Sequence, residues 1–304
     1  MDDYRNPFSD VGKFFKSRAV LPRLILINAA VWMAISLVRV LTFLINIPDA
    51  TFTNYIVNYF ALPADTTMLM HRPWTLVTYM FLHIEIWHIL FNMLWLYWFG
   101  KIFLEYLNSR QLLVTYLLGG FAGGALYVLA YNLFPVFKPG LAQSSALGAS
   151  AAVMAIVTAI SFYVPNYSIY MLFLGRIKIF YIAIILFILD FFMIRSNNAG
   201  GHIAHIGGAL YGFAFVLFLK HGMDFSKLFK GGNTIKSMFR KKRSHVRPTG
   251  NSGGRPLSDE EYNIQKKFDQ KRMDDILDKI SKSGYESLSK EEKEFLFHSG
   301  NKNN

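Results

Sequence analysis

Cysteine is absent from this chain of 304 residues. That excludes disulfides, a cysteine nucleophile and thiolate metal sites, and it leaves the compartment open. Charge is scarce as well, at 17% Asp, Glu, Lys and Arg against 53% hydrophobic residues. With a mean hydropathy of +0.27 and long uncharged runs, an ordinary soluble domain is excluded and a polytopic membrane protein is indicated. Acid is the rarer sign: 20 Asp and Glu against 32 Lys and Arg leave a net charge of +12. The basic residues flank the apolar runs and crowd the tail, as in cytoplasmic loops, so membrane lipids and not nucleic acid are the expected charged partners. The first apolar run is long and follows charges of both signs, unlike a cleaved signal peptide.

Six apolar runs predict six membrane spans, at about 21–45, 76–103, 111–134, 145–164, 177–194 and 202–219. Residues 1–20 read as an interfacial arm and 21–220 as the membrane domain. Residues 46–75 read as an extramembrane loop lying in the interface, because Pro48, Pro63 and Pro73 accompany Tyr55, Ile56, Tyr59 and Phe60. Arg18, Arg23, Lys101, Arg110, Arg176, Lys178 and the run Arg240-Lys241-Lys242-Arg243 fall beside alternate loops, so both termini are expected in the cytoplasm. Residues 221–258 read as a basic flexible linker. Residues 259–304 read as a small helical tail, with Met273, Ile276, Leu277 and Ile280 at helical spacing and a capping box at Ser289-Lys290-Glu291-Glu292.

Three of the spans carry polar groups, which are costly in lipid and tend to mark function. Ser150 stands among small residues in Leu147-Gly148-Ala149-Ser150-Ala151-Ala152, a setting that suits either close helix packing or a nucleophile. His88 and Asn92 are four apart and share a helical face, whereas His83, five before His88 in one helix, would lie about 140° away. His83 therefore suits ordering the neighbouring structure. His202 and His205 open the last span, followed by the small stripe Ala204, Gly208 and Gly212. Pressed onto the small residues of the fourth span, that stripe predicts Ser150 and His205 within hydrogen-bond reach, the minimal activated nucleophile. Asn92, His88 and the Ser150 amide could then hold an oxyanion. A zinc site built from His83, His88, His202 and His205 is the alternative. No carboxylate is expected near His202 or His205, and zinc leaves Ser150 and Asn92 without a role.

The order HxxxxHxxxN, then GxS, then AHIGG, each in its own span, resembles the rhomboid family of intramembrane serine proteases. The resemblance extends to Arg72-Pro73-Trp74-Thr75 before the second span, and the tail from Ile276 to Leu296 is similar to a cytoplasmic extension on Bacteroidetes-type bacterial members. It implies an all-α six-span bundle in a bacterial inner membrane. Ser150 would be the nucleophile and His205 its base, acting as a dyad without metal or cofactor. Asn92, His88 and the Ser150 amide would line the oxyanion hole, and Gly148 would expose Ser150. Substrates would be membrane proteins entering sideways near span five; Asp190 in that span would be structural. Two residues depart from the family pattern. Ala151 replaces a glycine, narrowing the cleft, and Met154 replaces an aromatic residue packed on the histidine, orienting it less firmly. A non-catalytic scaffold that captures membrane-protein clients is the alternative function.

Overall fold

A computed structural model describes residues 19–171 and 175–227, with short stretches between 275 and 296. The expected arm and the basic linker lie almost wholly outside the described residues. The chain divides into two units, Met1–Arg240 and Lys241–Asn304.

The first unit is an all-α membrane bundle, as expected. Helices α1 (Val20–Leu44), α6 (Ser109–Leu133) and α9 (Ala199–Lys220) are each long and apolar enough to cross a bilayer. The segment from α4 (Thr75–Thr78) through a 3₁₀ turn (Tyr79–Phe81) into α5 (Ile86–Tyr106) is an apolar pair bent by 91°, apolar enough to count as one further span when taken together. This corrects the expectation of one continuous second helix. Two shorter apolar helices complete six segments, α7 (Ser150–Tyr163) and α8 (Ile179–Met193). At 14 residues α7 is roughly 21 Å long, short of a hydrocarbon core of about 30 Å. Its N-terminus therefore starts inside the bundle.

Small residues set how closely the central helices approach. A Cβ on Gly208 would lie 2.0 Å from the Ala151 carbonyl oxygen, and one on Gly212 would lie 2.2 Å from that of Ala155. From α6, Gly119 and Gly123 meet the Cβ atoms of the same two alanines. The predicted small stripe of the sixth span thus rests on the fourth, with the third closing against both. Around this contact the buried core gathers Leu21, Leu24, Leu96, Phe99, Phe103, Ile156 and Phe215. Asn28 of α1 donates to Tyr116 Oη at 3.1 Å within it. Outward-facing apolar side chains such as Phe43 and Phe192 stay more than two-thirds exposed, a surface suited to lipid.

The 46–75 segment is helical where a loop was expected. Helix α2 (Asp49–Phe60) carries Phe52, Ile56 and Phe60 at four-residue spacing, and these line a groove with Ile27, Val31 and Ile35 of α1. Arg39 pairs with Asp49 at 2.7 Å and holds its carboxyl below the usual range. Helix α3 (Thr66–His71) is capped by Asp65, whose carboxylate accepts from the amides of Thr67 and Met68. Between them β1 (Leu62–Pro63) pairs antiparallel with β2 (Ser145–Ala146). A hairpin of β3 (Ser168–Met171) and β4 (Gly175–Lys178) joins α7 to α8.

In the second unit, the predicted capping box is present. The Ser289 amide donates to Glu292 at 2.7 Å, and the Glu292 amide donates to Ser289 Oγ at 3.2 Å. Lys279 also bridges to Glu292, and Ile276 and Leu288 are buried. Met273, Leu277 and Phe295 lie outside the described residues.

Candidate active site

Everything near Ser150 depends on how the preceding loop is held. The strand pair Leu62–Pro63 with Ser145–Ala146 starts the tether, and the Ala64 amide adds a bond to the Ser144 carbonyl at 3.0 Å. The Gly148 amide donates to the Tyr79 carbonyl at 2.8 Å, and the Ala149 amide donates to His83 Nε2 at 3.2 Å. Gly148 has a φ of +115°, and a Cβ there would sit 2.6 Å from the His88 ring. Both facts require glycine. The fourth span therefore becomes helical only at Ser150, not at Ser145 as its apolar run suggested.

Such a start leaves donors bare. The first backbone bond of α7 runs from the Val153 amide to the Ala149 carbonyl, so the amides of Ser150, Ala151 and Ala152 have no carbonyl partner in the helix. Ala149, at the N-cap, offers no side-chain acceptor. A buried helix end in this state presents positive potential to whatever enters beside it.

Ser150 opens onto a cavity of about 880 Å³. Its walls include Glu85, His88, Asn92, Met154, Asp190 and His205. The structure thus gathers the predicted Ser150, His205, His88, Asn92 and Met154 at one site. No hydrogen bond joins Ser150 Oγ to His205 among the described residues, so the predicted contact is not closed. Catalytic hydrogen bonds are often long without substrate and tighten in the complex. Asn92 uses one N–H on the His88 carbonyl at 2.8 Å, leaving its second for the cavity. The His88 ring nitrogens have no hydrogen-bond partner among the described residues.

His83 lies elsewhere than predicted. It occupies the break between α4 and α5, fully buried, so its angle to His88 is not that of one helix. The two rings meet edge to face with centroids 5.1 Å apart. Its Nδ1 donates to the Phe81 carbonyl at 3.3 Å, and its Nε2 accepts from Ala149, the residue before Ser150. Ala151 does not line the cavity. It is buried against Gly123 and Gly208, so it fixes helix contact and does not narrow the cleft.

The largest correction concerns Asp190. Twelve and fifteen residues from the two histidines in sequence, its Oδ1 lies 2.7 Å from His202 Nδ1 and 2.9 Å from His205 Nδ1. The premise that no carboxylate is near these imidazoles is overturned. The signal was available: Ile179, Ile182, Ala183 and Asp190 form the buried stripe of α8, and a charge inside a span faces inward. These three side chains are also the group among the described residues that could hold a cation, with ligand atoms within 4.8 Å of one another. However, tetrahedral zinc ligands sit about 3.3 Å apart, given Zn–N bonds of about 2.0–2.1 Å. Separations of 2.7 and 2.9 Å are those of hydrogen bonds.

The Rhomboid domain family matches residues 70–222, just over half of the 304. The chain belongs to the rhomboid family. Its rhomboid domain begins in the last turn of α3 and takes in every residue of the site, from His83 to His205. Over 144 residues it is 31% identical to RHOMBOID-like protein 12, mitochondrial, of Arabidopsis thaliana. That match covers 44% of this chain and 43% of the plant protein, so this rhomboid spans less than half of its curated relative's length. Residues 258–299 match a second family, of unknown function, called DUF6576.

Proposed function

We propose that this rhomboid is a serine endopeptidase that cuts peptide bonds in or near transmembrane helices of other membrane proteins. One observation carries the reading: Ser150 opens a buried, uncapped helix end in a cavity that also holds His205, His88 and Asn92. Small-residue packing alone has no use for bare amides or for polar side chains converging inside a bundle.

In this reading Ser150 Oγ attacks the scissile carbonyl carbon while His205 takes its proton. The oxyanion is held by the Ser150 amide, the free N–H of Asn92 and His88, all in place before charge develops. Collapse breaks the C–N bond, and His205 gives its proton to the departing amine. Water then attacks the acyl-enzyme, with His205 again as base, and releases the carboxylate product. His83 holds the Ala149 amide and so the loop that aims Ser150. Met154 forms part of the wall.

Lateral substrate entry beside α8 fits the packing. Leu189 of α8 lines the cavity and is half exposed, as expected of a side chain beside an entry. A substrate backbone must leave its helix before it can be cut, which favours substrates with helix-destabilising residues. We place both termini in the cytoplasm on the loop charges, and the protein in a bacterial inner membrane on the tail's resemblance to bacterial extensions.

The test is cleavage of single-span membrane proteins co-reconstituted in lipid vesicles, comparing wild type with Ser150→Ala. The proposal expects fragments only with wild type. Equal cleavage by both refutes it, and client binding without any cleavage favours the scaffold reading.

A further inference from the structure

We infer that Asp190 is a positioning residue for the His205 imidazole, so that the centre is a triad of Ser150, His205 and Asp190. The catalytic consequence rests on the protease reading; the placement of the proton on His205 does not. Asp190 is the lone ionisable carboxylate of α8, whose other fourteen residues are uncharged. Carrying it into a span is costly, and it faces the interior on the buried stripe of that helix.

A carboxylate oxygen accepts hydrogen bonds and donates none. At 2.9 Å from Asp190 Oδ1, His205 Nδ1 must therefore carry the proton of the neutral ring. The lone pair is left on Nε2, the nitrogen that must receive the Ser150 proton. The opposite tautomer could not act as the base. The same bond fixes ring rotation from the α8 side, while the His205 backbone is fixed by α9.

His202 explains why the carboxylate stays in position. Its Nδ1–H donates to the same Oδ1 at 2.7 Å, using the second lone pair of that oxygen. His202 does not line the cavity, so it serves as an anchor and not as a second base. The other ionisable groups of the cavity wall are His88 and Glu85, at the start of α5. Neither hydrogen-bonds His205 among the described residues.

The experiment uses full-length protein in detergent with ¹⁵N-labelled histidine, and His205→Gln identifies the His205 signals. Wild type is expected to show His205 protonated at Nδ1, and Asp190→Ala is expected to lose that preference. In cleavage assays Asp190→Ala lowers kcat by about 10²-fold with KM changed less than about two-fold. If the alanine variant does not fold, Asp190→Asn keeps the volume and is expected to lower kcat by at least about ten-fold. His202→Gln costs less than about ten-fold, since the bond to His205 survives. An unchanged His205 tautomer together with wild-type kcat in the Asp190 variants overturns the inference. So does activity that a chelator removes and zinc restores, because the three side chains would then be holding a metal. A wild type that cleaves nothing but shows the Asp190-dependent tautomer defeats the protease reading and leaves the positioning assignment intact.

Discussion

Substituting Gly208 by alanine tests the helix contact on which the site is built. The added Cβ would stand 2.0 Å from the Ala151 carbonyl oxygen and 2.8 Å from its carbon. Real Cβ atoms keep beyond 3.0 Å, so α7 and α9 must part by roughly 1 Å. The obstacle is backbone, and no rotamer change relieves it. Overpacking of this kind costs about 1–3 kcal/mol, and the backbone contact puts it near the upper end. At about 2–4 °C per kcal/mol, the unfolding midpoint in detergent should fall by roughly 5–10 °C. Activity should suffer more, because Ala151 adjoins Ser150 and Gly208 lies one turn from His205. A 1 Å displacement between reacting groups costs about 10²-fold. Gly212→Ala meets Ala155 backbone at 2.2 Å, one turn further from the serine, and should lose similar stability but less activity. Gly120→Ala meets the end of the flexible Met80 side chain and should be the mildest of the three. Differential scanning fluorimetry paired with serine-probe labelling measures both effects. Wild-type stability and labelling in Gly208→Ala, or equal effects in all three, would show that this helix contact does not set the site.

Other predictions follow from single contacts. His83→Ala strands the buried Ala149 amide, at a cost of about 1–3 kcal/mol, and should lower probe labelling of Ser150 more than the stability loss explains. Gly148→Ala must adopt a φ of +115° and push on the His88 ring, so cleavage should fall steeply while the far side of the bundle keeps its amide-exchange protection. In the tail, the Ser289 amide and then Lys279 hold the Glu292 carboxyl below its ordinary value of 4.5. A lowered carboxyl contributes stability above its unfolded value and loses it as pH falls through the folded one. Amide exchange at residues 291–293 should therefore be protected near neutral pH and accelerate, relative to intrinsic rates, in mild acid.

The parts of this protein legible in sequence are those set by solvent and by local spacing. Apolar runs located the three helices long enough to cross a bilayer, the bent pair and the two shorter apolar helices, and small-residue spacing in α9 gave the right face for contact. The break at Leu82–Glu85 was hidden: it contains neither Pro nor Gly and depends on tertiary bonds, such as that from Arg39 to the Ile84 carbonyl. The late start of α7 was hidden for a similar reason, since residues 144–149 are held by Leu62–Pro63, Tyr79 and His83. Helix α2 was legible in the spacing of Phe52, Ile56 and Phe60 but was outweighed by the prolines around it. Asp190 needed one more inference, that a lone carboxylate on an apolar helix must turn inward and find donors. A return of a few residues, from Met193 to Ala199, brings those donors alongside.

The most direct test of the account is to locate the adduct of a fluorophosphonate probe by peptide mass spectrometry in wild type and in His205→Ala. The account predicts modification at Ser150 in wild type, reduced roughly 10⁴-fold in the variant while the bundle stays folded. Modification at another residue, or equal labelling of Ser150 without His205, would contradict it.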